Sequence, residues 1–196
     1  MLLYDNAVSG NAYKVRLLLA QLGLEYERVE LSVVDRSNRE EVLGGKNPAL
    51  RIPVLELDDG TTLAESNAIL CYLAEGTPYL PDDRLARARA LAWMFFEQYD
   101  HAPNIAVARF MLHHTEAPDP EIVAAKQAGG RRALAAMERR LGDHDFLVEN
   151  YSVADIALYG YTHVAHEAGL ELAEFPGVAR WVERIAARPG HITIES

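Results

Sequence analysis

The sequence predicts a mixed α/β domain in the first third of the chain, followed by an all-helical domain. Short apolar strand candidates alternate with helical patterns in the first part, and only helical periodicity follows. The two patterns are separated by a segment rich in proline and aspartate. The predicted domains are therefore residues 1–77 and 85–196, joined by a linker over residues 78–84.

The first domain is predicted to have the element order β-α-β-α-β-β-α. An apolar strand at 1–4 precedes a helix that Gly23 ends, and a second strand and a short helix follow over 26–31 and 38–44. Residues 53–63 read as a hairpin around an Asp-Asp-Gly turn, before a third helix. This order indicates a small mixed sheet with helices packed against it.

The second domain is predicted to consist of helices alone. Apolar residues recur on one face of a long helix between 91 and 99, and Pro103 is expected to kink or divide it. A periodic, alanine-rich helix is predicted over 121–141, although Gly129 and Gly130 weaken its pattern. Two more helices are predicted over 151–166 and 177–187.

Bulk composition restricts the class of partner. The formal net charge of −10 argues against nucleic acid or an anionic membrane surface as the main partner. A single cysteine, Cys71, excludes an internal disulfide, and no apolar run has the length of a membrane span. The first residues lack the features of a signal peptide, so a cytoplasmic location is expected. No metal site is expected, because His163 and His166 have no third ligand.

Two short segments have residues suited to holding a small peptide. Ile52-Pro53 begins a predicted strand, and a cis bond there would let the Ile52 backbone pair with an extended peptide. The alternative is a proline that only starts the strand. Glu65-Ser66 lies at a helix start, where it could hold the amino and carboxylate ends of an amino acid. The alternative there is a simple helix cap.

A third segment, Ser9-Gly10-Asn11, lies between the first strand and the first helix. The positive end of the helix dipole would stabilise a bound thiolate, and Ser9 could donate a hydrogen bond to it. The alternative is that Ser9 or Asn11 only caps the helix. Tyr13 is the other hydroxyl nearby.

Together these segments have the order and spacing of one family, and the chain resembles the cytosolic glutathione S-transferases. The family's cis-proline motif is matched at 52–54, its γ-glutamyl-binding pair at 65–66, and the capping box of a buried helix at 151–155. Ser9 and Asn11 resemble the Ser/Thr–Asn pattern of a bacterial branch known for glutathione-dependent disulfide reduction.

The resemblance implies a thioredoxin-like first domain that binds glutathione as cosubstrate, and a helical domain that supplies most of the pocket for a second substrate. It implies a homodimeric glutathione transferase whose Ser9 and Asn11 activate the thiolate for attack on a small electrophile or a disulfide. The alternative is a glutathione-binding regulatory protein without turnover. Lys46 is expected to add local positive charge. The residues assigned to glutathione are Asn38, Arg39, Arg51, Ile52, Pro53, Glu65 and Ser66.

Overall fold

The computed structural model describes residues 1–196, which divide into two compact units. The first unit contains residues 1–75 together with 189–196, and the second contains residues 76–188. The first unit thus includes the last segment of the chain, which the sequence analysis had placed in the helical domain.

The first unit is built on a four-stranded mixed sheet with the strand order β2-β1-β3-β4. Strand β1 pairs in parallel with β2 and antiparallel with β3, and β3 pairs antiparallel with β4. The observed elements confirm the predicted order, and their bounds are β1 Leu2–Asp5, α1 Gly10–Leu22, β2 Glu27–Glu30, α2 Arg39–Leu43, β3 Val54–Glu56, β4 Thr62–Ala64 and α3 Ser66–Ala74.

Alternation along the strands divides the core of this unit between the two faces of the sheet. On one face, Leu3 and Leu55 pack against α1 and α3 through Val15, Leu19 and Ile69. On the other face lies a cluster around α2, made of Tyr4, Leu31, Leu43 and Val54. The sheet therefore fixes α1 and α3 on the same side, next to one another.

A buried ion-pair cluster ties the first strand and helix to the last residues of the chain. The Asp5 Oδ2 atom lies 3.1 Å from Arg16 Nε and 2.8 Å from Arg28 Nε, and the side chains of Asp5 and Arg16 are fully buried. Arg16 Nη2 also donates to the carbonyl oxygen of Ile194 at 2.8 Å. Segment 189–196 is thereby held by a helix near the start of the chain.

The second unit is all-helical, as predicted. Its helices are α4 Arg84–Phe96, α5 Ala102–His114, α6 Pro120–Leu141, α7 Val153–Thr162 and α8 Pro176–Ala186. A π-helical segment, Glu97–His101, joins α4 to α5, and Pro103 lies in the first turn of α5. The interruption expected at Pro103 is confirmed by this segment. Its physical cause is that proline has no N–H to donate to the helical hydrogen bonds. None of the helices combines the length and apolarity that a membrane span requires.

Helix α6 runs without a break through Gly129 and Gly130, which the sequence pattern had marked as a weakness. Both glycines lie where other side chains approach closely. A Cβ atom at Gly129 would lie 2.1 Å from Asn104 Oδ1, and one at Gly130 would lie 2.6 Å from Leu170 Cδ1. The glycines therefore allow close packing on α6, which offsets their low helix propensity.

The predicted capping box is present at the start of α7. Ser152 Oγ accepts from the Ala154 N–H, and Asp155 Oδ2 accepts from the Ser152 N–H at 3.0 Å. Asp155 Oδ1 further accepts from the Leu147 N–H at 3.0 Å and from Trp181 Nε1 at 2.9 Å. Burial raises the pKa of Asp155 to about 6, against the opposing effect of these hydrogen bonds. One carboxylate therefore joins the preceding loop, α7 and α8.

We expect Asp155→Ala to destabilise the fold far more than Ser152→Ala. Loss of the serine cap costs about 1 kcal/mol, whereas removal of the carboxylate leaves three buried N–H donors without an acceptor and costs about 3 kcal/mol or more. Denaturant unfolding measures both free energies, and Asp82→Ala, which alters a side chain that is 93% exposed, serves as the control. Equal losses in the two variants would contradict the central position of Asp155.

Candidate functional site

Strand register brings the predicted site segments to one edge of the sheet. Val54 of β3 pairs with Tyr4 of β1 on one side and with Ala64 of β4 on the other. Pro53 directly precedes Val54, and Glu65 directly follows Ala64, so both lie at the same end of the sheet. The loop that leaves β1 at this end leads into α1. Segments 9–11, 52–53 and 65–66 are neighbours for this reason.

The Ile52-Pro53 peptide bond is cis, as the motif predicts. The β3 ladder ends at Val54 on both sides, so neither neighbouring strand pairs with the backbone of Ile52. The Ile52 side chain packs against the apolar cluster around α2. Ile52 is thus anchored by its side chain, while its main chain stays outside the sheet.

Two residues at this edge have backbone conformations that L-residues seldom adopt. Glu65 has φ +70° and Leu50 has φ +53°. Such positions cost about 1–3 kcal/mol each and concentrate at functional sites. The Glu65 side chain is exposed and does not cap α3, whose first turn begins at Ser66. The N–H groups of that turn remain suited to an anion.

Ser9 and Asn11 occupy the start of α1, and both are half-buried. Ser9 Oγ accepts from the Ala12 N–H at 3.3 Å and so caps the helix, but its own O–H proton is still able to donate. Asn11 Oδ1 accepts from Lys14 Nζ at 2.8 Å and from the Ser66 hydroxyl at 3.4 Å. Because the amide oxygen takes both contacts, the Nδ2 donors of Asn11 face a different direction.

Lys14 is the functional candidate that the sequence analysis missed. Its side chain is fully buried, and its Nζ atom lies 3.4 Å from Ser66 Oγ as well as 2.8 Å from Asn11 Oδ1. The ammonium group therefore connects the start of α1 to the start of α3. The available signal was the spacing of Asn11 and Lys14, since residues i and i+3 share a helix face.

Of the other residues assigned to glutathione, Arg39 is buried while Asn38 and Arg51 are exposed. Arg39 Nη2 donates to the carbonyl oxygen of Ser32, and its Nε and Nη1 atoms are buried without a hydrogen-bond partner. Burial, with a smaller contribution from Arg36, lowers the pKa of Arg39. Buried donors of this kind normally have partners, so these two nitrogens are candidates for a contact with a ligand.

Several other polar groups of the first unit have partners outside these three segments. Lys46 Nζ lies 2.8 Å from Glu56 Oε2, so the positive charge expected from Lys46 is compensated. The Tyr4 hydroxyl donates to the same carboxylate at 2.9 Å. The Tyr13 hydroxyl is directed to the last segment, donating to the Ile192 carbonyl oxygen at 2.7 Å. The structure gathers no group of three or more His, Cys, Asp or Glu side chains that could hold a metal ion.

Comparison with known families agrees with this fold. Residues 1–75 match the family model of the glutathione S-transferase N-terminal domain, and residues 93–189 match that of the C-terminal domain. The chain belongs to the glutathione S-transferase family.

Solved structures and characterised relatives include several members of this family. A glutathione S-transferase from Pseudomonas fluorescens aligns with a TM-score of 0.95 and 44% identity, covering 100% of this chain and 98% of that one. The disulfide-bond oxidoreductase YfcG of Escherichia coli is 29% identical over 93% of this chain and 89% of its own. Ure2p in complex with glutathione aligns with a TM-score of 0.87 and 26% identity, covering 96% of this chain and 90% of that one.

Proposed function

We propose that the chain binds glutathione at this sheet edge and activates its thiol for attack on an electrophile or a disulfide. The observation that carries the proposal is the contact between Asn11 Oδ1 and Ser66 Oγ at 3.4 Å. It brings a donor at the start of α1 next to the start of α3. A peptide with a thiol one residue away from its α-carboxylate could therefore contact both helix ends at once.

The γ-glutamyl end of glutathione is assigned to Glu65 and Ser66. The exposed Glu65 carboxylate would accept from the α-ammonium group, and the Ser66 hydroxyl with the first N–H groups of α3 would hold the α-carboxylate. The cysteinyl residue would pair with the main chain of Ile52 beside the cis Pro53, as an added strand. Each contact uses a group that the fold leaves at this edge.

The glycine carboxylate is assigned to Arg39, whose buried Nε and Nη1 atoms would gain the partner that the chain does not give them. Asn38 and Arg51 are exposed and would contribute at the rim. A net anionic ligand is compatible with the acidic chain in this proposal, because Lys14, Arg39 and Arg51 would supply the local positive charge.

Thiol activation is assigned to Ser9, Asn11 and the dipole of α1. Hydrogen bonds from the Ser9 hydroxyl and the Asn11 amide would stabilise the thiolate and lower the thiol pKa. The thiolate then attacks carbon and the leaving group departs with its electron pair, or it attacks a disulfide and releases the other sulfur as a thiolate. The similarity to YfcG supports the disulfide reaction. The need for reduced glutathione supports a cytoplasmic location.

The second candidate function is glutathione binding without turnover, in a regulatory protein. It is supported by the similarity to Ure2p, known from structures of its glutathione complex and of its nitrogen regulation fragment. Both candidates use Ile52, Glu65 and Ser66 in the same way. They differ in whether the thiol is activated.

Steady-state turnover separates the two candidates. We expect glutathione binding in calorimetry, together with turnover of a chlorinated aromatic or of a glutathione mixed disulfide that exceeds the uncatalysed rate. Glu65→Gln should weaken binding by up to about fivefold, because the ammonium group of the ligand loses its ion pair with an exposed carboxylate. Binding without turnover of either substrate would support the regulatory candidate, and absence of binding would reject both.

Titration of the thiol of bound glutathione identifies which side chain donates a hydrogen bond to the thiolate. We expect Ser9→Ala or Asn11→Ala to raise the pKa of bound glutathione by about one to two units, since a charge-assisted hydrogen bond is worth about 1.5–3 kcal/mol. Thiolate absorbance of the complex against pH measures the shift. Tyr13→Phe, which loses a contact to the last segment, is the matched control and should leave the titration unchanged. An unchanged thiol pKa in both Ser9→Ala and Asn11→Ala would show that neither residue takes part in thiol activation.

We also propose that the chain forms a homodimer, as is typical of the family, with α4 contributing to the contact. Phe95 and Tyr99 are 72% and 83% exposed, and they lie on the same side of this helical stretch. Leu85, at 59% exposure, is a further exposed apolar residue of α4. Large aromatic side chains of this kind are enriched in buried interfaces.

Light scattering tests this contact. We expect about twice the chain mass for the wild type and a single chain mass for the double variant Phe95→Glu/Tyr99→Glu, because burying two carboxylates without partners opposes association. Leu24→Glu, another exposed apolar position, is the control and should remain dimeric. A monomeric wild type at micromolar concentration would contradict the proposal.

A further inference from the structure

We infer that Lys14 is a positioning residue that lowers the pKa of the bound thiol by fixing the amide of Asn11. The inference rests on the proposed function, and it assigns to a buried lysine a role that the motifs do not give it. Lys14 lies within α1, its side chain is fully buried, and its Nζ atom contacts both Asn11 and Ser66.

The chemistry of the ammonium group decides the orientation of the amide. A lysine ammonium group can only donate, so the atom of Asn11 at 2.8 Å from it must be the oxygen. The Ser66 hydroxyl reinforces this orientation from the other helix at 3.4 Å. With Oδ1 held in this way, the Nδ2 donors are directed away from Lys14. The lysine thus sets which end of the amide is offered to a ligand.

Lys14 also connects the two parts of the proposed site. Ser66 is assigned to the γ-glutamyl carboxylate and Asn11 to the thiolate, and the same ammonium group contacts both side chains. A cation behind both contacts favours negative charge on both ligand groups, because the surrounding protein screens it less than water would. Ligand orientation and thiol ionisation are therefore coupled through one side chain.

Stability alone does not account for a lysine at this position. Burying an ammonium group is unfavourable unless hydrogen bonds compensate for its lost hydration, and an apolar side chain of similar volume would fill the same space in α1 without that cost. The neighbouring apolar residues Val15 and Leu19 show what the helix otherwise presents to its core. The lysine is explained by the two polar groups that it orients.

The test compares Lys14→Met with Lys14→Arg by thiolate absorbance of the glutathione complex against pH. Methionine keeps the volume of the stem but removes the donor, so the thiol pKa should rise by about one to two units, whereas arginine should restore most of the wild-type value. Arg16→Met is the matched control, because it removes a buried cation of the same helix that contacts Asp5, the Ala7 carbonyl oxygen and the last segment, and contacts neither Asn11 nor Ser66. Its titration should stay at the wild-type value.

A double-variant cycle shows whether Lys14 acts through Asn11. In the Asn11→Ala background, Lys14→Met should add less than half of its single-variant shift, because the amide that it orients is gone. Full additivity, or a wild-type titration in folded Lys14→Met, would overturn the inference while leaving the proposed function intact. If Lys14→Met does not fold, Lys14→Leu, which also lacks a donor, replaces it, and an unshifted titration there has the same meaning. A wild type that fails to bind glutathione would overturn both.

Discussion

The arrangement of the site depends on the pairing of Val54 with two partners. Because Val54 lies between Tyr4 and Ala64, the residues that flank these three positions emerge at one end of the sheet. A shift of one residue in β3 would turn its alternating side chains to the opposite faces and exchange the two halves of the core. It would also move the cis Pro53 away from Glu65. The two apolar clusters of the first unit therefore specify the site as well as the fold.

Helix α1 holds two fully buried cations that have different tasks. Arg16 faces Asp5 and the last segment and joins parts of the first unit that are distant in sequence. Lys14 faces Asn11 and Ser66 and joins the two helix starts at the sheet edge. Two residues apart on a helix, they point in different directions, so that one holds the scaffold and the other lies at the proposed site.

The sequence predicted those features that have a local signal. Gly23, Pro53 and the capping box at Ser152 each mark a backbone event within a few residues. The element order followed from apolar periodicity, and the fold from the order of motifs that resemble one family. The burial of Lys14 and Arg16 was not predicted, because charged residues are usually exposed and their partners are distant in sequence. The assignment of residues at the sheet edge to glutathione remains a prediction, because the structure shows their positions and not a bound ligand.

The return of residues 189–196 to the first unit has a consequence for the order of folding during synthesis. These residues are made after the whole of 76–188, so the helical unit is fully translated before the first unit receives its last segment. Until then Arg16 and Tyr13 lack the carbonyl acceptors of Ile194 and Ile192. A fragment limited to residues 1–75 would lack both of these acceptors. The first unit is therefore discontinuous in the chain, with the helical unit inserted into it.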